Sequence, residues 1–198
     1  YQLHLDENKN ATLNKQILEL IGMEQVQVKK SFRISNELYG GSINNRLTYK
    51  SLEEVGEDLF IEIIKEVTRG TLDQEDKLSV LNLGEQESAK NYFSSLKSID
   101  FSSENWFIGY KENNIIGLVV PQKLKDNLGA INYIGVLPKK RGQGYVIDLL
   151  NKGIKNIFNR NTQEIIADID ETNFPMENAL LKIGFKEKKR IIVYSLTL

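Results

Sequence analysis

Val136-Leu-Pro-Lys-Lys-Arg-Gly-Gln-Gly-Tyr-Val146 joins a strand-forming run, Ala130 to Val136, to a run in which Ile147, Leu150, Ile154 and Ile157 recur at helical spacing. The order is strand, glycine turn, helix. Gly142 and Gly144 carry no side chain, so the backbone there can approach a ligand closely, and the first N–H groups of the helix have no partner within it. With the positive end of the helix dipole they form an anion site suited to a diphosphate. Arg141 sets a fixed positive charge beside it. No Gly-Lys-Ser/Thr ending follows, which argues against a triphosphate loop, and the third glycine of the dinucleotide fingerprint is missing. An ordinary strand-to-helix turn is the bland alternative, since glycine punctuates loops everywhere.

Outward from this loop, strand-like and helix-like segments alternate from Leu47 onward, as expected of an α/β or α+β domain. Leu47-Thr-Tyr49 is a short strand, and Ser51-Leu-Glu-Glu54 matches a capping box. Val55, Leu59, Ile63 and Val67 then predict a helix to about Thr68, stopped at Gly70. A second amphipathic helix is predicted over Gln86 to Leu96. Trp106 to Tyr110 and Ile115 to Val120 flank Glu112-Asn-Asn114 and read as a hairpin, with Trp106 in the core. Further on, Ile165 to Ile169 predicts a strand, Pro175 the first turn of a helix, and Gly184 its C-terminal cap. Ile191 to Leu196 closes the domain as a strand, and the charge run Lys186 to Arg190 reads as a solvated connection before it.

Composition removes several chemistries. The chain has 198 residues, enough for one domain with an extension, and 26 Lys and Arg nearly cancel 27 Asp and Glu. No broad field recruits nucleic acid or an anionic membrane, and the apolar runs are far shorter than the roughly 20 residues of a membrane span. With no cysteine and a single histidine, His4, neither a thiol nucleophile nor a serine–histidine dyad nor a multi-histidine metal site can be assembled. The absence of cysteine agrees with a reducing compartment, so a cytoplasmic location is expected.

The first 46 residues partly repeat the end of the chain. Tyr1 to Asn8, Ile17-Leu-Glu-Leu-Ile-Gly-Met23 and Val28 to Ile34 mirror Ile165 to Glu171, Ala179-Leu-Leu-Lys-Ile-Gly-Phe185 and Ile191 to Leu196 in order and nearly in spacing. Residues 1–46 therefore read as a β-α-β segment resembling a half domain, ahead of a complete domain over 47–198. A shared βαβ pattern can also arise by chance. If the repeat is real, the N-terminal segment packs like the C-terminal third.

Val136-x-Pro138-x-x-Arg141-Gly142-x-Gly144, followed by an apolar helix, resembles the acyl-CoA pyrophosphate loop of the GNAT superfamily of N-acetyltransferases. Ala167-Asp-Ile-Asp-Glu-Thr-Asn173-x-Pro175-Met176, with Ala179 and Ile183-Gly-Phe185, is similar to that superfamily's closing strand, asparagine turn, helix and Gly-Phe ending. The resemblance covers about residues 47 to 198. It implies an α+β fold, with a mixed, mostly antiparallel sheet flanked by helices and here preceded by the N-terminal β-α-β extension. It implies acetyl-CoA as co-substrate, no metal, and a small-molecule or peptide amine as acceptor, and it allows a homodimer. The implied cofactor contacts are Ile134, Val136, Arg141, Gly142, Gln143, Gly144, Tyr145, Val146 and Asn173. The chain departs from the pattern twice: Val146 stands where Gly or Ala is usual, and Leu180 where a tyrosine often protonates the departing thiolate.

An amine with a pKa near 10 must lose a proton before it attacks, so a base is required. Asp168 and Asp170 alternate in phase along one strand and point the same way, fitting them to bind a cationic amine or to act as base. A salt bridge or helix cap is the structural alternative for both. Tyr133 and Asn132 are expected on opposite faces of their strand, one of them meeting the cleft, so the catalytic candidates are Asp168, Asp170 and Tyr133. The Leu180 departure keeps a second reading open, a non-catalytic module that binds or senses acyl-CoA. A structural or interaction protein on the same fold is the third.

Overall fold

In the computed structural model, which describes residues 2–6, 11–41 and 46–196, the Ser51 hydroxyl accepts from the Glu54 N–H at 3.3 Å while the Glu54 carboxylate accepts from the Ser51 N–H at 2.6 Å. This reciprocal cap starts α2 (Leu52–Val55) directly after β3 (Thr48–Ser51). The single helix expected here is two. Gly56 takes φ +80° and ends α2, and α3 (Glu57–Thr68) begins beyond it. Next comes α4 (Gln74–Leu83), a helix the apolar spacing does not predict, because it carries no buried apolar residue and no apolar stripe. Its signal is at its start, where the Asp73 carboxylate accepts from the Glu75 and Asp76 N–H groups at 2.9 and 3.2 Å. α5 (Glu85–Lys97) follows.

β4 (Phe107–Lys111) and β5 (Asn114–Lys125) form the expected hairpin. Glu112 and Asn113 both take positive φ, the turn that matches the twist of the strands. β5 runs beyond Val120 because Pro121 sits at an irregularity in the ladder, where its missing N–H is tolerated. β6 (Leu128–Val136), α6 (Tyr145–Asn159), β7 (Glu164–Asp170), α7 (Phe174–Ile183) and β8 (Lys186–Ser195) complete the domain. The charge run Lys186 to Arg190 is no connection. It is the first half of β8, paired with residues 30–33 and exposed from Lys186 to Lys189, with Lys189 in an ion pair to Asp6 at 2.6 Å.

The N-terminal β1 (Gln2–Asp6), α1 (Ala11–Leu20) and β2 (Glu24–Ser35) join the same sheet. Its order is β1-β8-β2-β7-β6-β5-β4-β3, and only β6 and β7 pair in parallel. β2 is therefore an interior strand between β7 and β8. The pairings match across the expected repeat. Leu3 opposite Tyr194 corresponds to Ala167 opposite Phe32, and Asp6 opposite Ile191 to Asp170 opposite Lys29. Both helices end alike, with the Met23 N–H bonded to Leu18 O at 2.9 Å and the Phe185 N–H to Leu180 O at 3.1 Å.

Helices cover both faces. α3 and α5 press Phe60, Ile64, Phe93 and Leu96 onto Trp106, Leu118 and Val120. On the opposite face α6 and α7 bury Leu149, Ile154, Leu180 and Phe185 with Phe32 and Ile34 of β2. Trp106 is fully buried against Phe60 and Phe93, as expected. A side chain at Gly135 would put its Cβ 2.7 Å from Val67, so the bare backbone of β6 is what lets the end of α3 settle on the sheet.

Candidate active site

β6 and β7 pair only over Leu128 to Ala130 and Glu164 to Ile166. Beyond Ala130 and Ile166 the two strands diverge, which leaves a gap in the middle of an otherwise continuous sheet. A cavity of about 490 Å³ passes through it. A second cavity, about 420 Å³, adjoins it on the α6 and α7 side, and Thr71, Ile134, Asn173 and Met176 line both.

The second cavity is the glycine-loop site. Ile134, Val136, Arg141, Gly142, Gly144, Tyr145, Val146 and Asn173 all line it, and of the expected contacts only Gln143 does not. Gly142 and Gly144 take φ +76° and +74°, and Gly144 caps α6 with no side-chain hydrogen bond to its free N–H groups. A Cβ at Gly142 would meet nothing within 4 Å, so the turn opens onto free space where an anion can be received. The residues therefore fit a diphosphate held by backbone donors.

Arg141 has a second task. Its guanidinium donates to Val136 O at 3.1 Å, Gly70 O at 3.0 Å and Val67 O at 2.7 Å, which fastens the loop to the C-terminal carbonyls of α3. Tyr145 is buried, its hydroxyl accepting from Lys111 Nζ at 3.3 Å. Arg46, which no motif singles out, lies 4.9 Å over the Tyr145 ring, donates to Gln143 O at 3.2 Å and pairs with buried Asp148 at 2.5 Å. The Asn173 carboxamide oxygen accepts from the Met176 N–H at 3.3 Å and caps α7. Leu180 is wholly buried and places no hydroxyl in the gap.

The gap cavity is lined on the α4 side by Asp73, Glu75 and Asp76 and on β7 by Asp168 and Asp170. Asp168 and Asp170 do share a face. Asp168 is exposed, whereas Asp170 is buried and accepts from the Thr172 N–H at 2.9 Å, Thr172 Oγ1 at 2.6 Å and Gln27 Nε2 at 3.0 Å. Burial alone would raise the Asp170 carboxyl, but these donors outweigh it and hold its pKa below the usual range. It is thus an ionised anchor and a poor base.

Tyr133 and Asn132 do not face opposite sides. Val120 pairs with Tyr133 and Pro121 with Ile131, so Asn132 is an extra residue in β6, a bulge. The Tyr133 ring packs tilted against Tyr92 of α5, centroids 4.6 Å apart, and Asn132 bonds Gln122, whose own amide donates to Leu96 O of α5 at 2.8 Å. Both therefore lie on the α5 face. The Tyr133 hydroxyl is 3.0 Å from Thr68 Oγ1, and burial pushes its pKa far up, so it stays a neutral phenol that can donate a hydrogen bond.

Asp76 was not legible in the sequence. It lines the gap, accepts from Thr71 Oγ1 at 3.1 Å, and is pushed up to about 6, first by burial and then by the neighbouring Asp73 carboxylate. A carboxyl with a native pKa above its unfolded value binds more protons when folded, so its contribution to stability falls as pH rises from about 4 to about 6. Asp76→Asn is therefore expected to melt higher than the parent at pH 7.5, with the difference gone at pH 4, in thermal scans across that range. Equal melting temperatures at pH 7.5 would show that the ionised carboxylate is not strained. Among the described residues no group of three or more His, Cys, Asp or Glu is arranged to hold a metal ion, and no helix is long and apolar enough to cross a membrane.

No curated protein matches the sequence. Among solved structures, a GCN5-related N-acetyltransferase from Sphaerobacter thermophilus is similar at TM-score 0.65 and 18% identity, over 98% of this chain and 58% of that one. A GNAT-family acetyltransferase from Colwellia psychrerythraea is similar at TM-score 0.61 and 13% identity, over 99% and 64%. A tandem GNAT protein from the clavulanic acid biosynthesis pathway is similar at TM-score 0.64 and 9% identity, over 98% and 62%. The chain thus spans less than two thirds of each of these structures, and at such identities the likeness is one of fold. Residues 73–185, which run from the cap of α4 through the split strands and the glycine loop to the end of α7, match the model of the acetyltransferase (GNAT) family, and the chain belongs to that family.

Proposed function

We propose that the chain transfers an acetyl group from coenzyme A to a primary amine by direct attack. The observation that carries this reading is the divergence of β6 from β7, with a glycine-loop cradle opening on one side of the gap and a carboxylate-lined cavity on the other. Acetyl-CoA, when bound, supplies a thioester from which the amine takes the acyl group: a C–N bond forms, the C–S bond breaks, and the proton lost by the amine balances the departing thiolate.

The chain's own residues divide the remaining work. Backbone N–H groups of Gly142 to Val146 hold the diphosphate, with the Arg141 charge beside them. The edge of β6 from Ile134 to Val136, left without a strand partner by the gap, offers backbone donors and acceptors to an extended pantetheine arm and to the acyl oxygen. Asp76 takes the amine proton, since a carboxyl poised near neutrality is better suited to this than the anchored Asp170. Asp168 and Asp170 supply negative charge that draws in a cationic acceptor. Tyr133 contributes a hydrogen bond and not a proton.

Residues 1–46 are, in the same proposal, half of a duplicated GNAT domain, supported by the matched strand registers and helix ends. Leu180, which leaves no hydroxyl at its position, favours one other reading, an acyl-CoA binding module without turnover. Calorimetry with acetyl-CoA, combined with thiol release across a panel of primary amines, separates the two. Micromolar binding with amine-dependent thiol release is expected. Binding without release on any amine would leave the sensor, and absence of binding would leave only a structural role.

A further inference from the structure

Arg46 lies just ahead of β3, 97 positions from the glycine loop, yet its guanidinium contacts only that loop and the first turn of α6. Nη1 donates to the Gln143 carbonyl at 3.2 Å, while Nε and Nη2 both donate to Asp148 Oδ2, at 3.1 and 2.5 Å. The Asp148 side chain is 2% exposed, and the guanidinium also lies over the Tyr145 ring. A single cation thus ties a loop carbonyl, a buried carboxylate and an aromatic ring together behind the cradle, which Arg46 itself does not line.

The carbonyl bond aims a donor. In a planar trans peptide the C=O and the N–H point opposite ways, so turning Gln143 O toward Arg46 turns the Gly144 N–H away from it, toward the open side of the loop. That N–H has no acceptor among the described residues. The same orientation accounts for Gly144 lining the cradle while Gln143 does not. The ion pair removes a repulsion. Asp148 stands in the first turn of α6, where a carboxylate takes up the positive end of the dipole that an anionic ligand would otherwise use. A bare carboxylate there would also repel a diphosphate. The guanidinium lies 3.6 Å from the point where a Gly144 Cβ would stand, so the charge is cancelled at the loop itself.

We propose that Arg46 is a positioning residue for the acyl donor, aiming the Gly144 N–H at the diphosphate and keeping the Asp148 charge from opposing it, without touching the ligand. This rests on the reading of the cradle as a CoA site. The contribution is to ground-state and transition-state binding alike, so it falls on KM for acetyl-CoA and not on kcat.

The test uses the full chain, with CoA as probe and calorimetry and thermal melting as readouts. Arg46→Met removes both actions and strands a buried carboxylate, so CoA affinity is expected to fall about thirtyfold and the melting temperature to fall with it. Asp148→Asn is expected to bind CoA at least as tightly as the parent. The double variant, Arg46→Met with Asp148→Asn, separates positioning from stability. With no buried charge left it is expected to melt near the parent and still to bind CoA about fivefold more weakly, the share of one misaimed backbone donor. In thiol release the same variant is expected to raise KM for acetyl-CoA with kcat unchanged. Parent-like CoA binding by either Arg46→Met or the double variant overturns the proposal and leaves the acyl-transfer reading intact. CoA affinities in the expected order, with no thiol release on any amine, support the role of Arg46 and sink the transfer reading instead. A parent chain that binds no CoA overturns both.

Discussion

Replacing Phe32 by alanine is expected to lower the stability of the whole protein by about 3–5 kcal/mol, the range for emptying a fully buried aromatic site. Phe32 lies on β2, in the N-terminal segment, yet it is wholly buried in the main core with Ile34, Ile165 and Phe185. Typical domains hold about 5–15 kcal/mol in all, so this single change removes a large fraction of the total. If residues 1–46 were a loosely attached extension, the same substitution would shift only a local transition. Urea unfolding followed through Trp106, which sits on the opposite face of the sheet, distinguishes the two: the midpoint is expected to fall sharply with one cooperative transition retained. An unchanged Trp106 transition would mean that β2 is energetically separate.

The second large effect is on the donor side. Gly142 has φ +76°, a conformation aspartate and asparagine tolerate better than other side chains, and its Cβ would enter open space, so both Gly142→Asp and Gly142→Asn are expected to fold. They differ in one charge. A carboxylate at the mouth of a diphosphate cradle places like charges together, which costs several kcal/mol. The expected outcome is at least a hundredfold loss of CoA affinity in Gly142→Asp and less than a tenfold loss in Gly142→Asn, read by calorimetry. Equal losses would show that the loop contributes shape and not an anion site.

The fold was legible where periodicity and punctuation agree. The glycine loop lies between a β-rich run and an amphipathic helix, and the Ser51 capping box and the Gly184 cap form as read. α4 escaped because a helix with no buried apolar residue has no stripe to announce it, only the Asp73 cap. The first half of β8 escaped because its side chains are charged and exposed, and what makes it a strand is the backbone ladder to β2. Asn132 escaped for a related reason, since a bulge is a property of two strands in register and a single strand does not show it.

The candidate site divides along the same line. Most of the cradle sits in one contiguous stretch and could be read from it. The carboxylate-lined side of the gap could not, because Gln27 reaches Asp170 across 143 positions and Asp76 sits on the helix that was missed. No local pattern relates such residues.

The interior place of β2 also sets an order in time. Its partners are β7 and β8, and Gln2 of β1 pairs with Ser195, so the N-terminal strands meet their neighbours only when nearly the whole chain exists. At roughly 5–20 residues per second of synthesis, Phe32 and Ile34 wait on the order of ten seconds or more without a sheet to enter. Long sequence separation slows closure further, since loop entropy must be overcome before those contacts form. The strands from β3 to β6 with α6 are connected locally and can assemble first. The Gln27–Asp170 hydrogen bond, which ties β2 to β7 beside the gap, is then made last, so a stalled or nicked chain forms the glycine loop well before it closes that end of the gap.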